Sequence, residues 1–172
     1  MSHHLQFEQW VPCPLGQVFA FFSNPENLPR IMPAASATRL DRLTRVPPVP
    51  SEEGTGDEAA GIGSLIFTSF RVVPFLPIRA RWIARIVEFE WNHYFADVQD
   101  KGPFKTWHHR HEFVSEIRGS IEGTLVWDAI EYDVGFGWLG SIVNGLFVRP
   151  QMERTFKERQ TKLPGLLAQE GR

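Results

Sequence analysis

This sequence has a single cysteine, little excess of either charge and no long apolar run. Cys13 is the single cysteine among 172 residues, so no disulfide can form within the chain, and a cytoplasmic location is expected. The formal net charge of −2 gives no electrostatic reason to expect nucleic acid as a partner. The longest apolar stretches are interrupted by Arg or Pro well short of the roughly 18 residues of a membrane-spanning helix. No integral membrane association is therefore expected.

Aromatic residues, in contrast, are abundant. The chain contains 14 Phe and 6 Trp, and aromatics make up 13% of its residues. Rings of this size line many ligand pockets, and they also fill bulky sheet cores. A chain of this length can bury a core without a disulfide or a structural metal. We expect residues 1–172 to form a single domain.

The hydrophobic pattern predicts an α+β fold. A first strand is followed by helical spacing, which predicts two short helices, the second ending near Ile31. A loop at 47–60, rich in Pro, Gly and acidic residues, is expected to form a mobile rim. Short turns between the later strands predict antiparallel hairpins, with one turn at Pro74/Pro77. The strands are expected at residues 4–11, 34–46, 61–73, 78–90, 93–100, 105–117 and 121–134.

From Trp138 onward the apolar spacing changes to that of a long helix. Pro150 lies in this run, and because it lacks a backbone N–H it predicts a kink or a restart near Leu146. The expected architecture is a curved antiparallel sheet of about seven strands around this C-terminal helix, with the two short helices after the first strand. The apolar stripe consists of Leu139, Ile142, Val143, Leu146 and Phe147.

The order of these elements, and the residues on them, resemble the START/polyketide-cyclase-like superfamily (SRPBCC), which has the helix-grip fold. The resemblance implies a cavity between sheet and helix that holds a small hydrophobic molecule, such as a lipid or a polyketide. It does not imply one activity, because the superfamily contains carriers, receptors and aromatase/cyclases. The resemblance is carried by residues 10–12, 18–19, 22–28, 31–33, 94–99, 102–104, 107–113 and 123–124, and by Asp128, Tyr132, Phe156 and Arg159.

Polar residues are expected on the inward face of the sheet. Alternation along the strand at 105–117 places His109 and His111 on one face, together with two aromatic rings. The predicted hairpins set His109 opposite Asp128 on one side and opposite Asp97 on the other. Buried polar groups must bond to each other, to water or to a ligand. The whole polar set is Asp97, Gln99, His109, His111, Asp128 and Tyr132.

Three interpretations of this set remain open. It can be a structural network that fixes strand register, or it can orient an oxygenated group of an apolar ligand. Alternatively, a histidine tuned by Asp128 can act as a general acid or base in cyclisation or dehydration. No catalytic residue is assigned. A metal site is not expected, because no further His lies at a plausible inward position beside the His-X-His pair. No cofactor is expected either.

The leading hypothesis is a noncatalytic binding domain for a hydrophobic small molecule. The alternatives are an aromatase/cyclase or dehydratase that uses the same cavity, and a protein-interaction module that docks through an aromatic rim. The sequence leaves the ligand and the oligomeric state open. The polar set above would orient the ligand, and the apolar contacts would come from Trp82, Ile86, Phe95, Trp107, Phe113, Leu139, Val143 and Phe147.

Overall fold

The computed structural model describes residues 1–52, 56–71 and 78–170. One curved, seven-stranded antiparallel sheet runs in the order β1-β7-β6-β5-β4-β3-β2. The predicted fold class is therefore confirmed. The end of the strand predicted at 61–73, the turn at Pro74/Pro77 and part of the 47–60 loop lie outside the described residues. The strands are β1 (His3–Val11), β2 (Arg39–Thr44), β3 (Leu65–Arg71), β4 (Arg79–Glu90), β5 (Tyr94–Lys101), β6 (Thr106–Arg118) and β7 (Ile121–Asp133).

Within these described ranges, four α-helices accompany the sheet. In the first of them Phe19 packs edge-on against the rings of Phe95 and Phe113, with centroids 6.1 and 5.2 Å away. This contact holds α1, the first of the two predicted short helices, against the sheet. Across the described residues, no helix combines the length and apolarity needed to cross a membrane. The helices are α1 (Leu15–Ser23), α2 (Leu28–Ile31), α3 (Gly137–Val143) and α4 (Arg149–Glu170), with 3-10 turns at Pro25–Asn27 and Ala34–Ser36.

The register of the β6–β7 hairpin differs from the predicted one by two residues. His111, and not His109, lies opposite Asp128, and His109 lies opposite Ile130. The reason is the turn, which is made by Gly119 and Ser120 alone. Gly119 has a φ of +66°, a conformation that glycine adopts without steric cost. Because side chains alternate with a period of two, the predicted inward face is preserved. On the other side, the predicted pairing of Asp97 with His109 is confirmed.

The C-terminal helix is interrupted near Leu146, as predicted from the presence of Pro150. Asn144–Val148 forms a π-helical turn between α3 and α4, and the N–H of Arg149 donates to the carbonyl of Asn144. The side chain of Asn144 is buried and accepts a hydrogen bond from the hydroxyl of Tyr132 at 2.6 Å. The π-helical turn is thereby tied to β7.

A second proline, Pro164, lies inside α4. It cannot donate to the carbonyl of Gln160, four residues earlier. The side chain of Gln9 on β1 supplies the missing donor, with its Nε2 2.7 Å from that carbonyl oxygen. In return, Nε2 of Gln160 donates to the carbonyl of Glu8 at 3.0 Å. These two bonds hold α4 against the edge strand β1.

We expect Gln9→Ala to lower the free energy of unfolding by about 1 kcal/mol, because it leaves a partly buried carbonyl without a donor. In a Pro164→Ala background the new backbone N–H can bond to Gln160, so the same replacement should cost less. Chemical denaturation of the four proteins in this double-mutant cycle measures the coupling. An equal cost in both backgrounds would show that Gln9 does not compensate for the proline.

Candidate functional site

A cavity of about 500 Å³ lies between the sheet, the short helices after β1, and α4. The inward side chains of β3 to β6 form its floor, because alternate residues of each strand face the same side. α4 covers it with Met152 and Phe156. The apolar floor consists of Ile66, Trp82, Ala84, Ile86, Phe95 and Trp107.

The exposed members of the lining locate the mouth of the cavity. They are Arg71 at the end of β3, Pro103 in the β5–β6 turn and Gln151 in the first turns of α4. Within the 47–60 loop, leaving aside its undescribed residues 53–55, Ala60 alone lines the cavity, and it is buried. A role of this loop as a rim stays a prediction.

Four of the predicted apolar contacts line the cavity, namely Trp82, Ile86, Phe95 and Trp107. Trp82 and Trp107 meet edge to face with their centroids 4.9 Å apart. Phe113 does not line the cavity. It is buried behind it, where it packs against Phe19 and Phe22 at 5.2 and 5.4 Å.

The predicted placement of Leu139, Val143 and Phe147 in the cavity is wrong. These side chains are 52%, 43% and 66% exposed. α3 buries a different face, formed by Gly140 and Asn144. A Cβ on Gly140 would lie 1.8 Å from the carbonyl oxygen of Gly135, so only glycine permits this contact. The π-helical turn then changes the phase of the helix, and α4 presents Met152 and Phe156 to the cavity instead.

Asp128 lies between the two inward-facing histidines of β6, His109 and His111. Its Oδ1 is 2.9 Å from Nε2 of His109, in hydrogen-bond geometry. The same oxygen is 2.7 Å from Nδ1 of His111, but that ring is turned so that no well-aligned hydrogen bond forms. On the other side, Nδ1 of His109 is 3.8 Å from Oδ2 of Asp97. The two imidazoles are both buried, with centroids 4.0 Å apart.

Burial and neighbouring charges set the protonation of this group. Burial, together with the nearby His111, lowers the pKa of His109 to about 4 against the opposing effect of both carboxylates. Burial also acts to raise the pKa of Asp128, but contacts with His111 and His109 outweigh it and hold that pKa well below its ordinary value. Asp128 is thus the ionised acceptor, and His109 is the neutral donor.

The pKa of Asp97 is shifted in the opposite direction. Burial raises the pKa of its carboxyl group, and the neighbouring His109 and Trp107 only partly offset that effect. The indole N–H of Trp107 lies close enough to favour the ionised carboxylate, yet it is buried without a well-formed hydrogen bond among the described residues. Asp97, His109 and His111 all line the cavity, whereas Asp128 lies behind them.

Gln99 and Tyr132 are not brought to the cavity, which corrects their predicted placement. The amide of Gln99 donates to the carbonyl of Phe104 at 2.7 Å and accepts from its N–H at 3.3 Å, so it holds the β5–β6 turn. Tyr132 is fully buried and bonded to Asn144. Both residues share strands with the site but support the scaffold.

Arg159 is a cavity residue whose role the sequence pattern did not reveal. It is only 9% exposed, and its guanidinium lies 4.5 Å from the ring centroid of Phe156. Burial lowers its pKa, while Asp128 and Asp97 favour the charged form. Within the described parts of the chain no carboxylate lies within 4 Å of it. Helical spacing from Phe156 and Leu163, both buried, is the signal that could have identified it.

Three of these residues could hold a metal ion. Asp97, His109 and His111 each offer one ligand atom, and the three atoms lie within 4.8 Å of one another. The site therefore combines a mostly apolar cavity, one buried cation and a cluster of two imidazoles with two carboxylates.

Residues 11–161 match the protein family described as polyketide cyclase / dehydrase and lipid transport. No curated protein matches the sequence. Among solved structures, TTHA0849 from Thermus thermophilus aligns with a TM-score of 0.65 and 15% identity, over 99% of this chain and 100% of that one.

Two further solved structures share the architecture. A START superfamily protein from Mycobacterium smegmatis aligns with a TM-score of 0.62 and 14% identity, over 97% of this chain and 98% of that one. Norcoclaurine synthase from Thalictrum flavum, solved as a point mutant with a transition-state analogue, aligns with a TM-score of 0.61 and 14% identity, over 100% and 98%. At these identities the likeness shows the fold alone.

Proposed function

This chain belongs to the polyketide cyclase / dehydrase and lipid transport family, and from that premise we propose that it is a single domain that binds one small hydrophobic molecule between its sheet and α4. The observation that carries the proposal is the cavity of about 500 Å³, which falls within the roughly 300–1,000 Å³ of small-molecule sites. We place the protein in the cytoplasm, since its one cysteine, Cys13, is buried and free.

The ligand lies with its apolar body against the rings of the floor and under α4. Trp82, Phe95 and Trp107 contact it from the sheet, and Met152 and Phe156 contact it from the helix. Removing such apolar surfaces from water favours binding by about 25 cal/mol for each Å² buried.

The polar part of the ligand faces His109, His111 and Asp97. These side chains line the cavity at one place, so an oxygen atom bound there fixes the orientation of the whole molecule. Asp128 holds the histidines from behind. A protein-interaction module would not need an internal cavity, so the open space of about 500 Å³ favours a small-molecule ligand.

Acid–base catalysis is a second candidate, and the His109–Asp128 bond of 2.9 Å favours it. A neutral imidazole oriented by a carboxylate can accept a proton from a bound molecule. The test is a mass-spectrometric time course on the molecule bound to the wild-type protein and to the His109→Gln variant. Loss of water from the molecule on the wild type alone would support a dehydratase, whereas an unchanged mass on both proteins would contradict it.

Native mass spectrometry of the purified protein tests the binding proposal directly. We expect a complex of one chain with one apolar molecule, or, after delipidation, saturable binding of an environment-sensitive apolar dye. A medium-chain fatty acid should displace the dye. A delipidated protein that binds neither the dye nor the fatty acid would contradict the proposal.

Filling the cavity should weaken this binding. Ala84 is buried on the floor, and we expect Ala84→Trp to weaken dye affinity at least about tenfold, because the indole occupies the ligand's space. Val114→Trp on the solvent-exposed face of β6 is the matched control and should bind like the wild type. Circular dichroism reports whether each variant is folded. A folded Ala84→Trp protein with unchanged affinity would show that the dye binds elsewhere.

A further inference from the structure

The strand pairing brings three potential metal ligands to one point of the cavity wall. Asp97 pairs directly with His109 across β5 and β6, and His111 is two residues further along the same face. Nδ1 of His109 is 3.8 Å from Oδ2 of Asp97, and one atom from each residue lies within 4.8 Å of the others. A tetrahedral ion with bonds of about 2.0–2.2 Å needs ligand separations of about 3.4 Å. The 3.8 Å between Nδ1 of His109 and Oδ2 of Asp97 is close to that spacing.

Asp128 prepares both histidines to act as ligands. Its carboxylate accepts a hydrogen bond from Nε2–H of His109. Nδ1 of that ring, which faces Asp97, therefore keeps a free lone pair. Nδ1 of His111 lies 2.7 Å from the same carboxylate without an aligned hydrogen bond, so Nε2 of that ring is the nitrogen open to a metal ion. A carboxylate behind a metal-binding imidazole fixes its orientation and its tautomer. Asp128 bonds to His109 in this way and lies beside His111.

The polar side chains around the three ligands also suit a cation. Two carboxylates, those of Asp97 and Asp128, lie at this end of the cavity beside the one guanidinium of Arg159. A buried carboxylate is unfavourable without a partner, and among the described residues Arg159 makes no ion pair within 4 Å with Asp97 or Asp128.

The surroundings leave one side of such an ion open. The rings of Phe95 and Trp107 pack against His111 and His109 at 4.5 and 5.9 Å, and they exclude water from the strand side. The three ligands themselves line the cavity. A three-ligand site with an open position facing a cavity is the arrangement in which zinc takes a water or a substrate oxygen.

We propose that Asp97, His109 and His111 bind one divalent transition-metal ion of the zinc and iron(II) class, and that Asp128 positions the two histidines. The open coordination position takes an oxygen atom from whatever occupies the cavity. Two imidazoles with one carboxylate suit Zn²⁺ or Fe²⁺ better than Mg²⁺ or Ca²⁺, which prefer oxygen ligands. Metal binding by these three residues does not require the hydrophobic ligand.

The test uses the full chain with His3→Ala and His4→Ala, because these two exposed or half-exposed N-terminal histidines could bind metal by themselves. After removal of metal with EDTA, Zn²⁺ is titrated calorimetrically, and Co²⁺ is followed by its visible absorption. We expect one ion per chain. Asp97→Asn and His111→Gln should each weaken Zn²⁺ binding at least about 100-fold, since each removes one of three ligands.

Asp128→Asn should weaken binding about 10–100-fold, the range for a residue that orients a ligand. His108→Gln is the matched control, since this histidine is on the same strand but on its outer face near Glu88, and it should bind like the parent. Circular dichroism and thermal unfolding establish that each variant is folded.

The absence of a stoichiometric Zn²⁺ complex in the parent would overturn the proposal, as would equal affinities of the parent and the Asp97→Asn variant. Dye binding by the metal-free parent separates this outcome from a failure of the hydrophobic-ligand proposal. If the dye binds and Zn²⁺ does not, the cavity stands without the metal site.

Discussion

Phe156→Ala should lower the free energy of unfolding by about 3–5 kcal/mol, the range for a buried ring replaced by a methyl group. The ring is only 5% exposed and has partners on three sides. It stacks on Phe7 with centroids 4.2 Å apart and meets His109 edge to face at 5.8 Å. The guanidinium of Arg159 lies over its face. Its loss removes contacts of α4 with both β1 and β6. Urea denaturation measures the change.

Phe147→Ala is the matched control for this prediction. The ring lies just before α4 and is 66% exposed, so its removal should change the free energy of unfolding by less than about 0.5 kcal/mol. Dye affinity should also stay unchanged. A loss of stability comparable to that of Phe156→Ala would contradict the placement of Phe147 outside the core.

Asp128→Leu should destabilise the fold by about 3 kcal/mol, because it removes the buried carboxylate that bonds to His109 and lies beside His111. The Nε2–H of His109 loses a 2.9 Å hydrogen bond, and Nδ1 of His111 loses a carboxylate at 2.7 Å. Asp128→Asn keeps an acceptor oxygen in the same place, and it should cost about 1 kcal/mol. Thermal and urea unfolding of both variants measure the difference.

The control for this pair is Asp100→Leu. Asp100 is partly exposed and pairs with Arg85 at 3.0 Å, so its replacement should cost at most about 1 kcal/mol. If Asn and Leu at position 128 proved equally destabilising, the negative charge and not the acceptor oxygen would be decisive. That result would contradict the assignment of His109 as a neutral donor.

Strand alternation explains why so much of the sheet could be predicted. A period of two depends only on local sequence, so the inward face of β6 follows from the order of Trp107, His109 and His111. Pairing across a hairpin depends in addition on the position of the turn. The turn at Gly119 and Ser120 lies one residue later than the predicted pairing of His109 with Asp128 requires, and the partner of Asp128 is therefore His111.

Helix orientation was harder to predict, because it depends on contacts between distant parts of the chain. The apolar side chains of Leu139 and Phe147 mark a helical stripe but do not say which surface that stripe meets. The close approach of Gly140 to the backbone of Gly135 selects the other face of α3. Arg159 was missed for a related reason, since a charged residue on a mostly polar helix is normally exposed.

The order of strands also determines when the sheet can be completed on a growing chain. Each strand from β2 to β7 pairs with its neighbour in sequence, so those hairpins can form as soon as two successive strands have been synthesised. β1 pairs with β7 alone, from His3 opposite Tyr132 to Val11 opposite Thr124. Such a distant pairing is slow to form, because it closes a loop through most of the chain. We therefore expect β1 to stay unpaired at the ribosome until β7 has emerged. The hydrogen bond from Gln9 on β1 to α4 should form after that.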